Sequence, residues 1–167
     1  MIRIAITGPE SCGKSTLAAT LAKYYNADLV EEYAREYITK RGGAYERNDM
    51  DEMARTHHMK IKLSQNSIQI VDTDFIVFKV WSEHKYNESS QLINEFVDQS
   101  LFDLHILCTP DIPWEDDPIR ENPRNREYLF AKFEQSLEQL NRKFIIVNGT
   151  HENRFEKSIR AIDALLN

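Results

Sequence analysis

Gly8-Pro9-Glu10-Ser11-Cys12-Gly13-Lys14-Ser15 decides how this chain is read, because it satisfies every fixed position of the pattern G-x-x-x-x-G-K-S/T. The apolar run Ile2 to Ile6 directly before it reads as a strand. Behind it, Leu17, Leu21 and Tyr24 recur at helical spacing within Thr16 to Tyr25. Strand, glycine-bounded loop and helix in that order make a phosphate-binding loop in its proper setting. The chemistry follows from geometry. Successive loop N–H groups converge on an anion at the positive end of the helix, Lys14 reaches the β- and γ-phosphates, and the Ser15 hydroxyl is placed to ligate Mg²⁺. Gly8, Glu10, Ser11, Cys12, Gly13, Lys14, Ser15 and Thr16 are therefore expected to hold ATP.

The whole chain bounds the setting. Its 167 residues are the length of one domain that buries most of its apolar surface without staples, so a single unit over 1–167 is expected. Charged residues are 29% and hydrophobic ones 41%, near the averages of soluble globular proteins, and no apolar stretch approaches a membrane span. The N-terminus opens on strand residues, without the basic region, apolar core and cleavage site of an export signal. Two cysteines, Cys12 and Cys108, make no disulfide framework and suit a reducing cytoplasm. A formal net charge of −6 argues against nucleic acid as partner, since a phosphate backbone is normally met by a strongly basic surface.

Five apolar runs read as strands: Ile2 to Ile6, Asp28 to Val30, Ile68 to Val71, Leu104 to Cys108 and Phe144 to Val147. Helical segments alternate with them. Strands that are continuously apolar rather than alternating, separated by helices, indicate a parallel sheet covered on both faces, an α/β architecture. Only residues 110–126 resist assignment, because Pro110, Pro113, Pro118 and Pro123 interrupt regular structure among charged side chains. Such a segment reads either as a lid or as an ordinary surface loop.

Ile68 to Val71 runs into Asp72-Thr73-Asp74, an apolar strand ending in carboxylates. In that form Asp72 organises Mg²⁺; its bland alternative is the N-cap of a helix starting at Thr73. Asp74, beyond the strand, either faces the substrate or is structural. Glu31-Glu32-Tyr33-Ala34-Arg35-Glu36-Tyr37 follows the second strand, at the edge where open α/β sheets bind ligands. One of its carboxylates is a candidate general base and its tyrosines candidate stacking surfaces, against an acidic first helical turn with core tyrosines. Arg120, Arg124 and Arg126 offer guanidinium groups to a transferring phosphoryl, or else form solvated ion pairs with Glu115, Asp116, Asp117 and Glu121. Trp114 beside those carboxylates suits a cationic heteroaromatic ring, or anchors the loop. His57 and His58, in a polar helical segment without ligand-spaced partners, read as surface residues. Cys12 at a helix start favours thiolate, where an oxidant would block nucleotide binding.

Taken together, Gly8 through Thr16, Glu32-Tyr33-Ala34-Arg35-Glu36-Tyr37, Asp72-Thr73-Asp74-Phe75 and Trp114-Glu115-Asp116-Asp117 through Arg120 resemble the kinase domain of NadR-type proteins, the bacterial ribosylnicotinamide kinases. The resemblance in order and spacing covers essentially the whole chain. It implies a P-loop NTPase three-layer sandwich, with a parallel sheet in the order 2-3-1-4-5 and a lid. It also implies transfer of the ATP γ-phosphate to the 5′-hydroxyl of nicotinamide riboside. By that likeness Glu32, Tyr33, Arg35, Asp74, Trp114 and Asp117 are acceptor contacts, and Asn148-Gly149-Thr150 lies where such kinases hold adenine. NadR-type proteins often carry a DNA-binding region and an adenylyltransferase domain ahead of this kinase. Here Met1 starts at the first kinase strand, so repression and adenylyl transfer do not carry over.

The reading is thus a small-molecule kinase with ATP and Mg²⁺. Lys14 neutralises the phosphates, Ser15 and Asp72 hold the metal, and Glu32 or Asp74 orients a nucleoside hydroxyl while Arg120 or Arg124 closes over the γ-phosphate. The alternatives are a kinase for another nucleoside or nucleotide, and an ATP-binding regulatory module. A nucleic-acid-dependent ATPase is disfavoured by the acidic balance. Neither a membrane nor a particular oligomeric state is implied.

Overall fold

Ile4, Ala5 and Ile6 have no exposed surface, which puts the strand before the loop at the centre of the sheet. The computed structural model describes residues 1–166. Five parallel strands lie in the order β2-β3-β1-β4-β5, with β1 Ile2–Thr7, β2 Asp28–Val30, β3 Ile68–Asp72, β4 Leu104–Cys108 and β5 Phe144–Val147. This is the order that the resemblance implied. Two strands run one residue further than their apolar residues suggest, to Thr7 and Asp72, since the ladder continues wherever a neighbour supplies hydrogen bonds.

Alternation along the strands feeds two apolar layers. Ile4, Ile6, Ile70, Leu104 and Ile106 pack with Leu17 and Leu21 of α1 (Lys14–Tyr25) and Ile162 of α7 (His151–Leu166). The opposite layer joins Val71 and Leu107 to five helices: α2 (Tyr33–Lys40), α3 (Arg47–Leu63), α4 (Phe75–Tyr86), α5 (Gln91–Asp98) and α6 (Arg126–Gln139). Each fully buried Leu, Ile or Phe contributes roughly 1.5–3 kcal/mol. Among the described residues no helix is long and apolar enough to cross a membrane.

Register positions the site. Ile6 pairs with Asp72 on one side and Ile106 on the other, so Thr7, Asp72 and Cys108 reach the same carboxyl edge. The chain leaves β1 there, enters the loop and turns directly into α1. The next helix on that edge, α4, starts at Phe75 and not at Thr73, and its N-cap is Asp74, which accepts from the Val77 N–H at 2.9 Å. The capping role therefore belongs to Asp74 and leaves Asp72 on the strand.

His57 corrects the surface assignment. It has no exposed area, packs against Phe75 and Phe78, and lies 2.8 Å through Nε2 from the Thr73 carbonyl. Burial pushes its pKa down to about 4, so the ring is neutral and donates to that carbonyl. The polar composition of α3 hides this because one buried stripe, with Met50, Met53, Ala54 and Ile61, suffices to dock it. His58, half-buried, stacks on Phe96 at 4.3 Å.

Candidate active site

The loop takes backbone angles that its glycines permit. Gly8 has φ +138° and Gly13 φ +82°, and a Cβ on Gly8 would stand 2.7 Å from the Cys108 carbonyl oxygen. Lys14 folds back so that Nζ donates to the Pro9 carbonyl at 2.7 Å, facing Glu32 and Asp72. Burial opposes its charge, but Cys12, Glu32 and Asp72 outweigh that, and the ammonium stays protonated.

Asp72 is 4% exposed, and its Oδ1 is buried without a hydrogen-bond partner. Burial raises its pKa, opposed by Lys14 and by a hydrogen bond from Ser15. An orphaned carboxylate oxygen next to the Ser15 hydroxyl is a donor set that fits Mg²⁺, which takes one or two protein oxygens and fills its shell with water and phosphate. No cluster of three or more His, Cys, Asp or Glu poised for a metal occurs among the described residues.

In front of the loop lies a cavity of about 210 Å³. The loop residues 8–16 close one end. Glu32, at the N-terminus of α2, and Arg35 form a polar side. Val77, Trp81 and His84 of α4, with Leu129 and Phe133 of α6, form an apolar wall. Glu32 is half-buried on the polar side, and burial, reinforced by Asp72, pushes its carboxyl up to about 7 against the pull of Lys14 and Arg35.

The proline-rich segment is the roof. Glu10 accepts the Glu121 N–H at 3.2 Å and the Asn122 N–H at 2.8 Å, and the Ser11 hydroxyl accepts the Glu115 N–H at 3.0 Å. Arg120 donates to the Ser11 hydroxyl at 3.3 Å, and Arg126 to the Ser11 carbonyl at 3.0 Å. The variable positions of the loop motif thus hold the segment above it. Asp117 ties the far end down by accepting from Arg35 at 2.7 Å.

Several expected residues sit elsewhere. Asp74 is 1% exposed, and its oxygens are taken by Thr7 at 3.3 Å, the Val77 N–H and His105 at 2.7 Å, so it braces α4 from within and lies outside the cavity lining. Arg124 is exposed and outside the cavity lining, and Arg120 takes the position over the loop. Glu31 is exposed, which leaves Glu32 as the carboxylate of that pair on the cavity. Tyr33 packs against Tyr37 with Lys60 4.9 Å from its ring centre, away from the cavity. Trp114 carries Arg120 and Arg126 at 5.9 and 5.7 Å from its ring centre, so those arginines occupy the aromatic face expected to receive a cationic ring. Asn148 and Thr150 are exposed at the end of β5, where Thr150 caps α7 by accepting the Asn153 N–H at 3.2 Å.

The sequence reading missed Trp81, His84, Leu129 and Phe133. The spacing of Val77, Trp81 and His84 puts them on one face of α4, a signal present in the sequence. It also missed Arg154. Only 3% exposed, this guanidinium donates to the Cys12 carbonyl at 2.7 Å, the Gly149 carbonyl at 3.0 Å and the Thr109 carbonyl at 3.1 Å, and pairs with Asp111. Asp111 in turn accepts the Gly149 N–H at 2.6 Å. One ion pair thereby joins the phosphate loop, the end of β4, the root of the roof and the loop before α7.

A parallel sheet with a loop of this form at the end of its central strand, backed by Lys14, Ser15 and Asp72, defines a P-loop nucleotide-binding protein. Residues 3–154 match the AAA domain family, and the chain belongs to it. It is similar to the trifunctional NAD biosynthesis/regulator protein NadR of Escherichia coli (strain K12), with 27% identity over 173 residues that cover 98% of this chain and 42% of that protein. The chain therefore spans less than half the length of this curated relative. Among solved structures, a NadR protein in complex with NR matches with a TM-score of 0.82 and 24% identity, over 96% of this chain and 48% of that one. A NadR protein in complex with NAD and AMP-PNP matches with a TM-score of 0.78 and 21% identity, again over 96% and 48%. At these identities the structural likeness establishes the fold.

Proposed function

We propose that this chain is an ATP-dependent kinase acting in the cytoplasm on the 5′-hydroxyl of nicotinamide riboside to give nicotinamide mononucleotide. The observation that carries the reading is the continuity of the cavity, which runs from the phosphate loop past Glu32 to the aromatic and apolar wall at Trp81. A nucleoside seated against that wall presents its sugar hydroxyl to Glu32 and to the γ-phosphate together. The likeness to a NadR protein in complex with NR supports the acceptor, and the likeness to one with AMP-PNP supports the triphosphate.

Phosphoryl transfer depends mostly on positioning and electrostatics. Loop N–H groups and Lys14 hold the β- and γ-phosphates, and Ser15 and Asp72 would hold Mg²⁺. A Mg²⁺ held by these two residues would supply neutralisation of charge on the phosphate oxygens. Glu32 accepts the proton of the attacking hydroxyl, for which a pKa near neutrality is suited. Arg120, held to the Ser11 hydroxyl with its guanidinium 5.9 Å from the Trp114 ring centre, lines the cavity and is the charge offered to the transferring group, and Arg35 steadies the acceptor side.

The test is ADP release by purified protein with Mg²⁺-ATP, alone and with nicotinamide riboside, adenosine or uridine, with mass analysis of the product. Equal amounts of ADP and nicotinamide mononucleotide support the reading, and preference for another nucleoside moves the acceptor without moving the kinase. ATP binding without transfer to any nucleoside would favour a regulatory module. Lys14→Ala is expected to remove turnover while the far-ultraviolet circular dichroism stays unchanged.

A further inference from the structure

Cys12 and Cys108 are far apart in sequence, yet the fold brings them to one spot beneath the phosphate loop. Cys108 ends β4, which runs beside β1 with Thr7 opposite Leu107, so the Cys108 backbone lies under the first loop residue. A Cβ on Gly8 would meet the Cys108 carbonyl oxygen at 2.7 Å, the Cys12 sulfur at 3.1 Å and the Cys108 nitrogen at 3.4 Å. One small volume therefore holds the Gly8 and Cys108 backbones and the Cys12 thiol, and Cys12 and Cys108 pack in the same buried apolar cluster.

The two sulfurs differ in surroundings. Both residues are buried from bulk solvent, but Cys12 forms part of the wall of the nucleotide cavity and Cys108 does not. Lys14 Nζ stands 3.9 Å from the Cys12 sulfur, and Arg154 grips the Cys12 carbonyl at 2.7 Å. Burial alone would push the Cys12 thiol up. The hydrogen bond with Cys108 and the charges of Lys14 and Arg154 outweigh it and bring the pKa to about 6, while Cys108 is held as a thiol. As plain packing, two small apolar side chains would fill this space equally well. Packing does not account for an ionisable sulfur set against the lysine that binds phosphate.

We propose that Cys12 and Cys108 form an oxidation site in the phosphate loop: hydrogen peroxide entering through the cavity converts them to a disulfide that weakens nucleotide binding. The Cys12 thiolate attacks one peroxide oxygen, the O–O bond breaks, and the departing oxygen leaves as water after taking a proton, giving the sulfenic acid. The Cys108 sulfur then attacks the Cys12 sulfur, the S–O bond breaks, and a second water leaves with the Cys108 proton. Two thiols and one peroxide thus become one disulfide and two waters, and a dithiol reverses the change. A disulfide holds its sulfurs about 2.05 Å apart, closer than any thiol–thiol contact, so it draws Cys12 toward β4. The adjacent amides of Gly13 and Lys14 belong to the phosphate cradle, so the pull displaces donors that hold phosphate. Bound nucleotide covers Cys12 from the cavity side.

The inference rests on nucleotide binding at the loop and is independent of which acceptor is phosphorylated. The experiment treats the whole chain with hydrogen peroxide, with and without Mg²⁺-ADP, followed by intact mass, non-reducing peptide mapping and titration with a fluorescent ATP analogue. The expected result is a loss of about 2 Da from one cross-link between the Cys12 and Cys108 peptides. Analogue affinity should fall at least about tenfold, recover with dithiothreitol, and be protected by Mg²⁺-ADP. Cys108→Ser should bind the analogue normally and, under peroxide, gain about 16 Da at Cys12 in place of the cross-link. Two thiols left free after peroxide, wild-type oxidation at Cys12 without a cross-link, or a disulfide with unchanged affinity would each overturn the proposal. If reduced protein binds no nucleotide, the loop reading fails separately and the mass change still reports on the thiols.

Discussion

Replacing Glu32 by Gln tests the electrostatics of the cavity without assuming its chemistry. Burial raises the Glu32 carboxyl from an ordinary 4.5 to about 7. Below pH 4.5 the group is protonated in both folded and unfolded chains and contributes no difference. Between 4.5 and 7 the unfolded chain releases its proton while the native one keeps it, so native stability is lost as pH rises through this window. The full difference is about 3 kcal/mol, and the water-facing side of the half-buried group cuts this to about 1–2 kcal/mol. The substituted amide has no proton to lose. At roughly 2–4 °C per kcal/mol for a chain of this size, the variant should melt about 2–8 °C above wild type at about pH 8, with the gap shrinking toward zero near pH 4.5. Differential scanning calorimetry of the ligand-free proteins across that pH range measures it. A gap that does not change with pH, or that widens on acidification, refutes the assignment. In the kinase assay the same variant should lose roughly 10² to 10⁴ in kcat.

Asp74→Ala should destabilise by about 2–4 kcal/mol, the sum of a lost helix cap and of the partners it abandons at His105 and Thr7, while the KM for nucleoside stays unchanged. A selective rise in that KM without loss of stability would return Asp74 to the acceptor site. Arg154→Lys keeps the charge but cannot reach three carbonyls and Asp111 at once, so the KM for ATP should rise about tenfold or more with little change for the nucleoside. An equal change in both would contradict its place behind the loop. His57 stays neutral in the core with its pKa lowered from 6.5 to about 4, so wild type should lose stability as pH falls through that interval. His57→Gln should flatten that acid limb in thermal melts, and an unchanged limb would place the titration elsewhere.

The loop motif placed β1, α1 and Lys14 because its residues specify backbone angles and an anion site locally. Leu104 to Cys108 was legible as a strand from its apolar residues, although His105 within it gave no hint that Asp74 would satisfy it. That pairing crosses from the β3–α4 junction to another strand, and no local pattern encodes it. Glu32 and Asp74 looked alike as acids near strand ends, and only the capping geometry separates a carboxylate on the cavity from one consumed by the core. Arg154 was invisible for the same reason: a single arginine in a polar helix differs from its neighbours only by what the fold lays over it. The proline-rich segment was recognised by its irregularity, but the hooks that hold it belong to the motif's variable positions, Glu10 and Ser11, which the pattern leaves unspecified.

Those hooks set where turnover meets resistance. With the roof hung on Glu10 and Ser11, three backbone amides and two arginines hold it over the loop. At roughly 1 kcal/mol per hydrogen bond, the open form is a minor population of the ligand-free chain. On the proposed kinase reading, ADP left after transfer should wait under the same roof, so a burst of product in the first turnover is the expected sign of slow roof release.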